Sequence, residues 1–181
     1  MTRDEFATLS LSYLEEVTAY ARRLCRREWD ADDLVQAVFE QAFRKWDELS
    51  EPGHCRAWLF RITRNLHIDR ARRSASRSEL RLVVASDSVA PARVVAPETV
   101  ERLAARELEA LLSRIPEQQR EALLLCDLWG FRYEEISEIT SSPVGTVRSR
   151  IARARSHLAS SLVAAEKRGP QSGDNRTGGK S

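Results

Sequence analysis

Residues 133–158, YEEISEITSSPVGTVRSRIARARSHL, constrain this chain more than any other stretch. Ile136 and Ile139 stand three apart, as on one face of a short helix, and Thr140, Ser141 and Ser142 then supply a polar break. Ser142 suits an N-cap and Pro143 a first helical position, where a missing N–H costs nothing and φ is already set. Val144, Val147, Ile151, Ala154 and Leu158 recur at steps of three and four, which predicts a second, longer helix with one inward stripe. Its other face carries Thr146, Ser149 and Arg153, flanked by Arg148 and Arg150. Residues 143–162 contain four arginines and no acid, whereas an ordinary solvated helix mixes both signs. That bias asks for an anionic partner. A helix-turn-helix meets the need by laying its second helix in the DNA major groove, where Arg can fork onto guanine. The plainer alternative is a basic solvent face on a helical hairpin.

With 181 residues and 42% hydrophobic content the chain can build one domain or two small ones. Its net charge is only +2, so a nucleic-acid footprint has to come from local patches. Charge is indeed segregated: Asp30, Asp32, Asp33, Glu40, Asp47 and Glu48 form an acidic run, and Arg70, Arg72 and Arg73 a basic one. Cys25, Cys55 and Cys126 have neither an even count nor a CxxC spacing, and the histidines are scattered. Neither a disulfide framework nor a metal site is expected, and each thiol reads as a small buried apolar residue. No apolar run approaches the roughly 20 residues needed to cross a bilayer, and the first ten residues lack a signal-peptide core. A soluble, cytoplasmic protein without membrane insertion is predicted. No GxxxxGK[ST], GxSxG or HExxH motif occurs, so no catalytic residue and no cofactor is expected.

Leu14, Val17, Ala21 and Leu24 predict a first helix over residues 11–27. Asp30 can cap the next, whose stripe of Val35, Val38, Phe39, Ala42 and Trp46 carries it to about Leu49, before a loop at Ser50, Glu51, Pro52 and Gly53. A third helix over residues 55–73 gathers Trp58, Leu59, Ile62 and Leu66 with Arg61, Arg64, Arg70, Arg72 and Arg73. Aromatics interleaved with arginine serve base stacking and phosphate contact; a core Trp and Phe with solvated arginines fit equally well. Serines and prolines from Ser74 to Pro97 predict a linker, and helices follow to about Ser113 and, after Ile115 and Pro116, to Gly130. Leu123, Leu124, Leu128 and Trp129 give the last of these an apolar face, and the polar tail beyond Ala165 is predicted to be disordered.

Three segments in this order resemble the extracytoplasmic-function (group IV) sigma factors of the sigma-70 family: DADDLVQAVF from Asp30, RAWLFRITRNLHIDRARR from Arg56, and IPEQQREALLL leading into the helix-turn-helix. The resemblance covers residues 11–162. It implies an all-α fold of two small helical domains joined by a flexible linker: region 2 over residues 8–74, a linker over 75–97, region 4 over 98–164 and a tail over 165–181. It also implies a promoter-recognition subunit of RNA polymerase that is not itself an enzyme. Asp33, Leu34 and Gln36 would meet the β′ clamp helices. Ile62, Thr63 and Asn65 would hold a base flipped from the minus-10 element, with Arg64, Arg70 and Arg73 on the backbone. Arg148, Ser149 and Arg153 would read the minus-35 element, with Tyr133, Thr146 and Arg150 on phosphates. The implied partners are core polymerase, at its β′ clamp helices and β flap, promoter DNA and an anti-sigma factor.

Two other classes compete. A helix-turn-helix regulator would bind an operator as a dimer without polymerase. A helical adaptor would set its basic face against an acidic protein, leaving the RAWLFRITRN segment unexplained.

Overall fold

The computed structural model describes residues 2–25, 27–80 and 108–166, and every regular element among them is helical. Backbone proximity divides the chain into two compact units, Met1–Val94 with Gly130–Val147, and Val95–Trp129 with Arg148–Ser181.

The first unit opens with α1 (Arg3–Leu11), ahead of the first helix predicted from the sequence. Thr2 and Glu5 cap it reciprocally: the Glu5 amide donates to Thr2 Oγ1 and the Thr2 amide to the Glu5 carboxylate. Behind this cap Phe6 is fully buried. The helix predicted over residues 11–27 is the shorter α2 (Leu14–Leu24), because the chain turns at Ser12 and Tyr13 after α1 and becomes extended at Cys25. Val17 and Ala21 are buried as predicted, whereas Leu14, at the turn, is 40% exposed. Next comes α3 (Glu28–Arg44), which starts two residues before the expected cap. Asp30 thus lies in the first turn and acts on the helix through its charge. It stops at Arg44, short of Leu49, and two 3₁₀ turns, Trp46–Glu48 and Pro52–His54, lead to the third predicted helix.

That helix, α4 (Cys55–Leu80), outruns its predicted end and carries the first residues assigned to the linker; residues 81–97 fall outside the described chain. α4 packs on α1, α2 and α3, and on α6 (Tyr133–Thr140). So many neighbours explain why its start is apolar nearly all round: Cys55, Ala57, Trp58, Leu59, Phe60, Ile62 and Thr63 are all buried. Rings fill the joints. Phe6 meets Phe43 and Trp58 edge-on, with centroids 5.5 and 6.0 Å away, and Tyr20 stacks on Phe60 at 4.8 Å. Such pairs add about 0.5–1.5 kcal/mol each beyond the area they bury.

The second unit contains helical residues 108–113, α5 (Glu117–Asp127) and most of α7 (Val144–Glu166). Leu112, Ile115, Ala122, Leu123, Leu125, Trp129, Ile151 and Ala154 are buried there. Leu128, assigned to the inward face, is instead 54% exposed: α5 has ended at Asp127, and the Trp129 amide turns back onto the Leu124 carbonyl. The helix predicted from Glu98 is described only from residue 108, and most of the predicted tail lies outside the described residues.

All three cysteines are free, and only Cys55 is buried. Burial pushes its thiol up to about 11, so roughly one molecule in a thousand carries the thiolate at pH 8. Cys55 should therefore resist iodoacetamide at pH 8 while Cys25 and Cys126 are modified first, and react only when denaturant is added. Peptide mass spectrometry across a time course reads the order; Cys55 reacting as fast as Cys126 would contradict a closed core around α4.

Candidate nucleic-acid interface

The turn between α6 and α7 forms where the sequence places it. At the start of α6 the Arg132 amide donates to the Glu135 carboxylate (2.8 Å). At its end Ser141 takes the left-handed conformation, φ 49° and ψ 45°, which a residue bearing a Cβ adopts at some cost. Two bonds offset that cost: the Ser142 amide donates to the Ser137 carbonyl (3.1 Å), and the Ser137 hydroxyl to the Ser142 carbonyl (2.6 Å). The Pro143 carbonyl accepts the first bonds of α7, from Thr146 and Val147. Val147, Ile151 and Ala154 form the buried stripe, with Val144 and Leu158 half-buried at its ends.

Turned away from that stripe, Arg148 and Arg153 are exposed and Ser149 and Arg150 half-buried. Arg150 donates to the Gln118 side chain of α5. Arg155 makes a two-pronged pair with Asp127, Nη2 to Oδ1 at 2.6 Å and Nε to Oδ2 at 3.3 Å. The guanidinium holds the Asp127 carboxyl below its ordinary range, chiefly through these bonds. Arg155 is thus a strut between α5 and α7, which leaves Arg148 and Arg153 as the outward charges of the acid-free face. Tyr133 and Thr146, both half-buried, belong to the first unit.

On α3 and α4 the predicted residues separate into two kinds. Asp33 and Gln36 are exposed, and Gln36 bonds Glu40 one turn on (3.0 Å), but Leu34 is fully buried and holds α3 in place from behind. Asn65 and Arg73 are exposed and Arg64 is half-buried, whereas Ile62 is 5% exposed and Thr63 wholly enclosed. The Thr63 hydroxyl donates to the Leu59 carbonyl at 2.8 Å, so neither of these two side chains presents an edge to a ligand. Arg70 donates to the Asp33 carbonyl (3.0 Å), joining α4 to the start of α3.

One concavity among the described residues of this unit lies near the start of α4. A cleft of about 110 Å³ is lined by Glu48, Leu49 and Ser50 after α3, by His54, Ala57, Trp58 and Arg61, and by Glu138 of α6. Sequence reading named Trp58 and Arg61 only as members of an aromatic and basic helix. It passed over His54 and Glu138, because sequence spacing does not bring residues from three separate segments into one wall.

Family models match most of the described chain. Residues 9–77 match Sigma-70 region 2, and residues 105–158 match Sigma-70, region 4. The chain is 37% identical to the ECF RNA polymerase sigma factor EcfG of Rhodopseudomonas palustris, over 84% of this chain and 82% of that protein. It is 38% identical to the ECF RNA polymerase sigma factor SigE of Mycolicibacterium smegmatis over 81% of its length, but spans only 57% of that longer relative. The sigma factor RpoE of Bartonella quintana, solved in complex with the anti-sigma factor NepR, superposes with a TM-score of 0.72 at 30% identity, covering 88% of this chain and 97% of that one.

If Thr63 supports the interface from behind, Thr63→Val should shift stability by about 1 kcal/mol and leave the affinity for single-stranded DNA unchanged. Urea unfolding and fluorescence anisotropy with a labelled oligonucleotide separate the two; a selective loss of DNA affinity would return Thr63 to the contact surface.

Proposed function

From the premise that this chain belongs to the sigma-70 family, in its extracytoplasmic-function group, we propose that it is an alternative sigma factor that binds core RNA polymerase and directs it to promoters. It carries no catalysis of its own; the polymerase supplies the chemistry. The observation that bears most weight is the outward face of α7, where Arg148 and Arg153 stand exposed among short hydroxyl side chains while Arg155 is pinned to Asp127. Such a face suits the major groove of the minus-35 element: Arg148, Ser149 and Arg153 read base edges, and Tyr133, Thr146 and Arg150 set the register on phosphates.

At the minus-10 element we assign the flipped base to the cleft below Trp58, with Arg61 at its wall and Asn65 beside it on α4. A cleft with an aromatic wall can stack a base, and Arg64 and Arg73 lie along the same helix for the backbone. Ile62 and Thr63 support this surface, and Arg70 braces it through Asp33. Asp33 and Gln36 are the exposed contacts for the β′ clamp helices, with Leu34 behind them. On this reading the regions fall at residues 8–74 and 98–164, which differ from the compact units because α6 packs on α4. The RpoE complex with NepR supports an anti-sigma factor as a further partner. No helix among the described residues is long and apolar enough to cross a membrane; since polymerase is the partner in this reading, we assign the chain to the cytoplasm.

In run-off transcription with purified core polymerase on genomic fragments, the chain should create new specific start sites. Specific DNA binding without polymerase, and no new starts with it, would favour an operator-binding regulator. With a promoter in hand, Arg153→Ala should lose about 1–3 kcal/mol at one minus-35 base pair. Arg150→Ala should weaken all sequences alike and lower the slope of log K against log salt by about one unit. Equal losses for Arg153→Ala on every sequence, or an unchanged slope for Arg150→Ala, would remove that residue from its role.

A further inference from the structure

Cys25 closes the end of α2, and His67 stands on α4, 42 residues further along the chain. The packing of α2 on α4 brings them together: Cys25 Sγ lies 3.9 Å from His67 Nδ1, and both residues are half-buried. The Cys25 amide donates to the Ala21 carbonyl (2.9 Å), which fixes the backbone behind the thiol, and His67 sits within the long helix. A thiol is a weak hydrogen-bond donor, so an S–H···N contact of this length contributes little. Thiolate and imidazole are also the two side chains that soft and borderline metal ions choose.

The separation fits an ion between them. With metal–sulfur and metal–nitrogen bonds of about 2.3 and 2.0 Å, the donor atoms stand about 3.5 Å apart at a tetrahedral angle and about 4.3 Å apart when all three atoms are in line. At 3.9 Å the pair lies between these limits before any side chain moves. The supply of ligands then narrows the metal. Among the described residues no group of three or more His, Cys, Asp and Glu could hold an ion. Zinc in a structural site is surrounded by protein ligands, and calcium takes a full shell of oxygens, so one sulfur and one nitrogen serve neither. Monovalent copper selects thiolate and is satisfied by two ligands. The charges nearest the thiol oppose each other, since Asp30 draws a cation in and Arg70 repels it.

We propose that Cys25 and His67 form a site for a monovalent soft metal ion, Cu(I), held between the thiolate Sγ and the imidazole Nδ1. On binding, the sulfur–hydrogen bond gives way to a sulfur–copper bond, the thiol proton leaves to water, the ring keeps its hydrogen on Nε2, and copper stays monovalent throughout. The ion ties the end of α2 to α4. One turn further along α4, Arg70 donates to the Asp33 carbonyl of α3 (3.0 Å), so the tie stiffens the corner that carries Asp33. The site goes beyond the sigma-factor reading and stands without it.

The reduced full chain, titrated under anaerobic conditions with Cu(I) against a colorimetric Cu(I) chelator, should withdraw one equivalent of copper. Cys25→Ser and His67→Gln should each weaken this uptake by at least about tenfold. Cys126→Ser, which removes the other half-buried thiol, should leave it unchanged. X-ray absorption at the copper edge should show one sulfur and one nitrogen at about 2.0–2.3 Å. One equivalent of copper should raise the unfolding midpoint of the unaltered chain and of Cys126→Ser, but not of the other two variants. Equal uptake by Cys25→Ser and the unaltered chain would overturn the site, as would a spectrum with two sulfurs, which would mean copper bridging thiols of two molecules. Tighter binding of Zn(II) than of Cu(I) would overturn the choice of ion. Should Cys25→Ser fold poorly, His67→Gln still decides.

Discussion

The first two turns of α4 carry the first unit, because nearly all of their side chains are enclosed. Between Cys55 and Thr63 only Arg56 and Arg61 escape burial, and both are used: Arg56 pairs with Glu16 under Phe131, and Arg61 lines the cleft. Each large apolar side chain enclosed there contributes roughly 1.5–3 kcal/mol. The proposed site therefore rests on a rigid floor. Trp58 faces the cleft from a helix locked by Phe6, Phe60 and Leu59 behind it. A base pocket needs this, since unstacking a base costs a few kcal/mol and a yielding wall would return little of it.

The same enclosure limits what the sequence discloses. The helix-turn-helix was legible because its signals are local: apolar spacing on α6, a serine-rich break, and an acid-free arginine face on α7; only the cap moved by one residue, from Ser142 to Pro143, whose carbonyl accepts the first bonds of α7. The start of α4 was harder. An amphipathic helix shows which side it buries, but one packed by α1, α2, α3 and α6 is apolar all round, and periodicity then assigns no face. Ile62 and Thr63 were implied as site residues by the family resemblance, and both are buried. Leu34 is the same case on α3. The missed α1 has another cause: its stabilisation comes from the Thr2 and Glu5 cap and from Phe6 reaching Phe43 and Trp58, a contact across some fifty residues of chain. The ends of α3 and α4 fall elsewhere than predicted for a third reason, since sequence propensity marks helix ends only loosely.

Electrostatics link the two units' roles without any strong net charge. At +2 overall the chain cannot hold DNA by bulk attraction, so its cations have to be concentrated and kept unneutralised. On α7 this is done by diverting one arginine: Arg155 pairs with Asp127 at the end of α5, and Arg148 and Arg153 keep their charge for an external anion. A handful of phosphate contacts gives salt-sensitive, modest affinity, which is inadequate for a lone DNA-binding protein facing a genome of competing sites. It is adequate for a subunit. When one body is already carried by polymerase, the second grip becomes intramolecular, and its effective concentration replaces the missing contacts. Weak individual grips then gain a use, because a factor that bound promoters tightly by itself would occupy them without the enzyme. Low net charge and a few exposed arginines suit such a division, in which assembly on the enzyme adds to a modest grip.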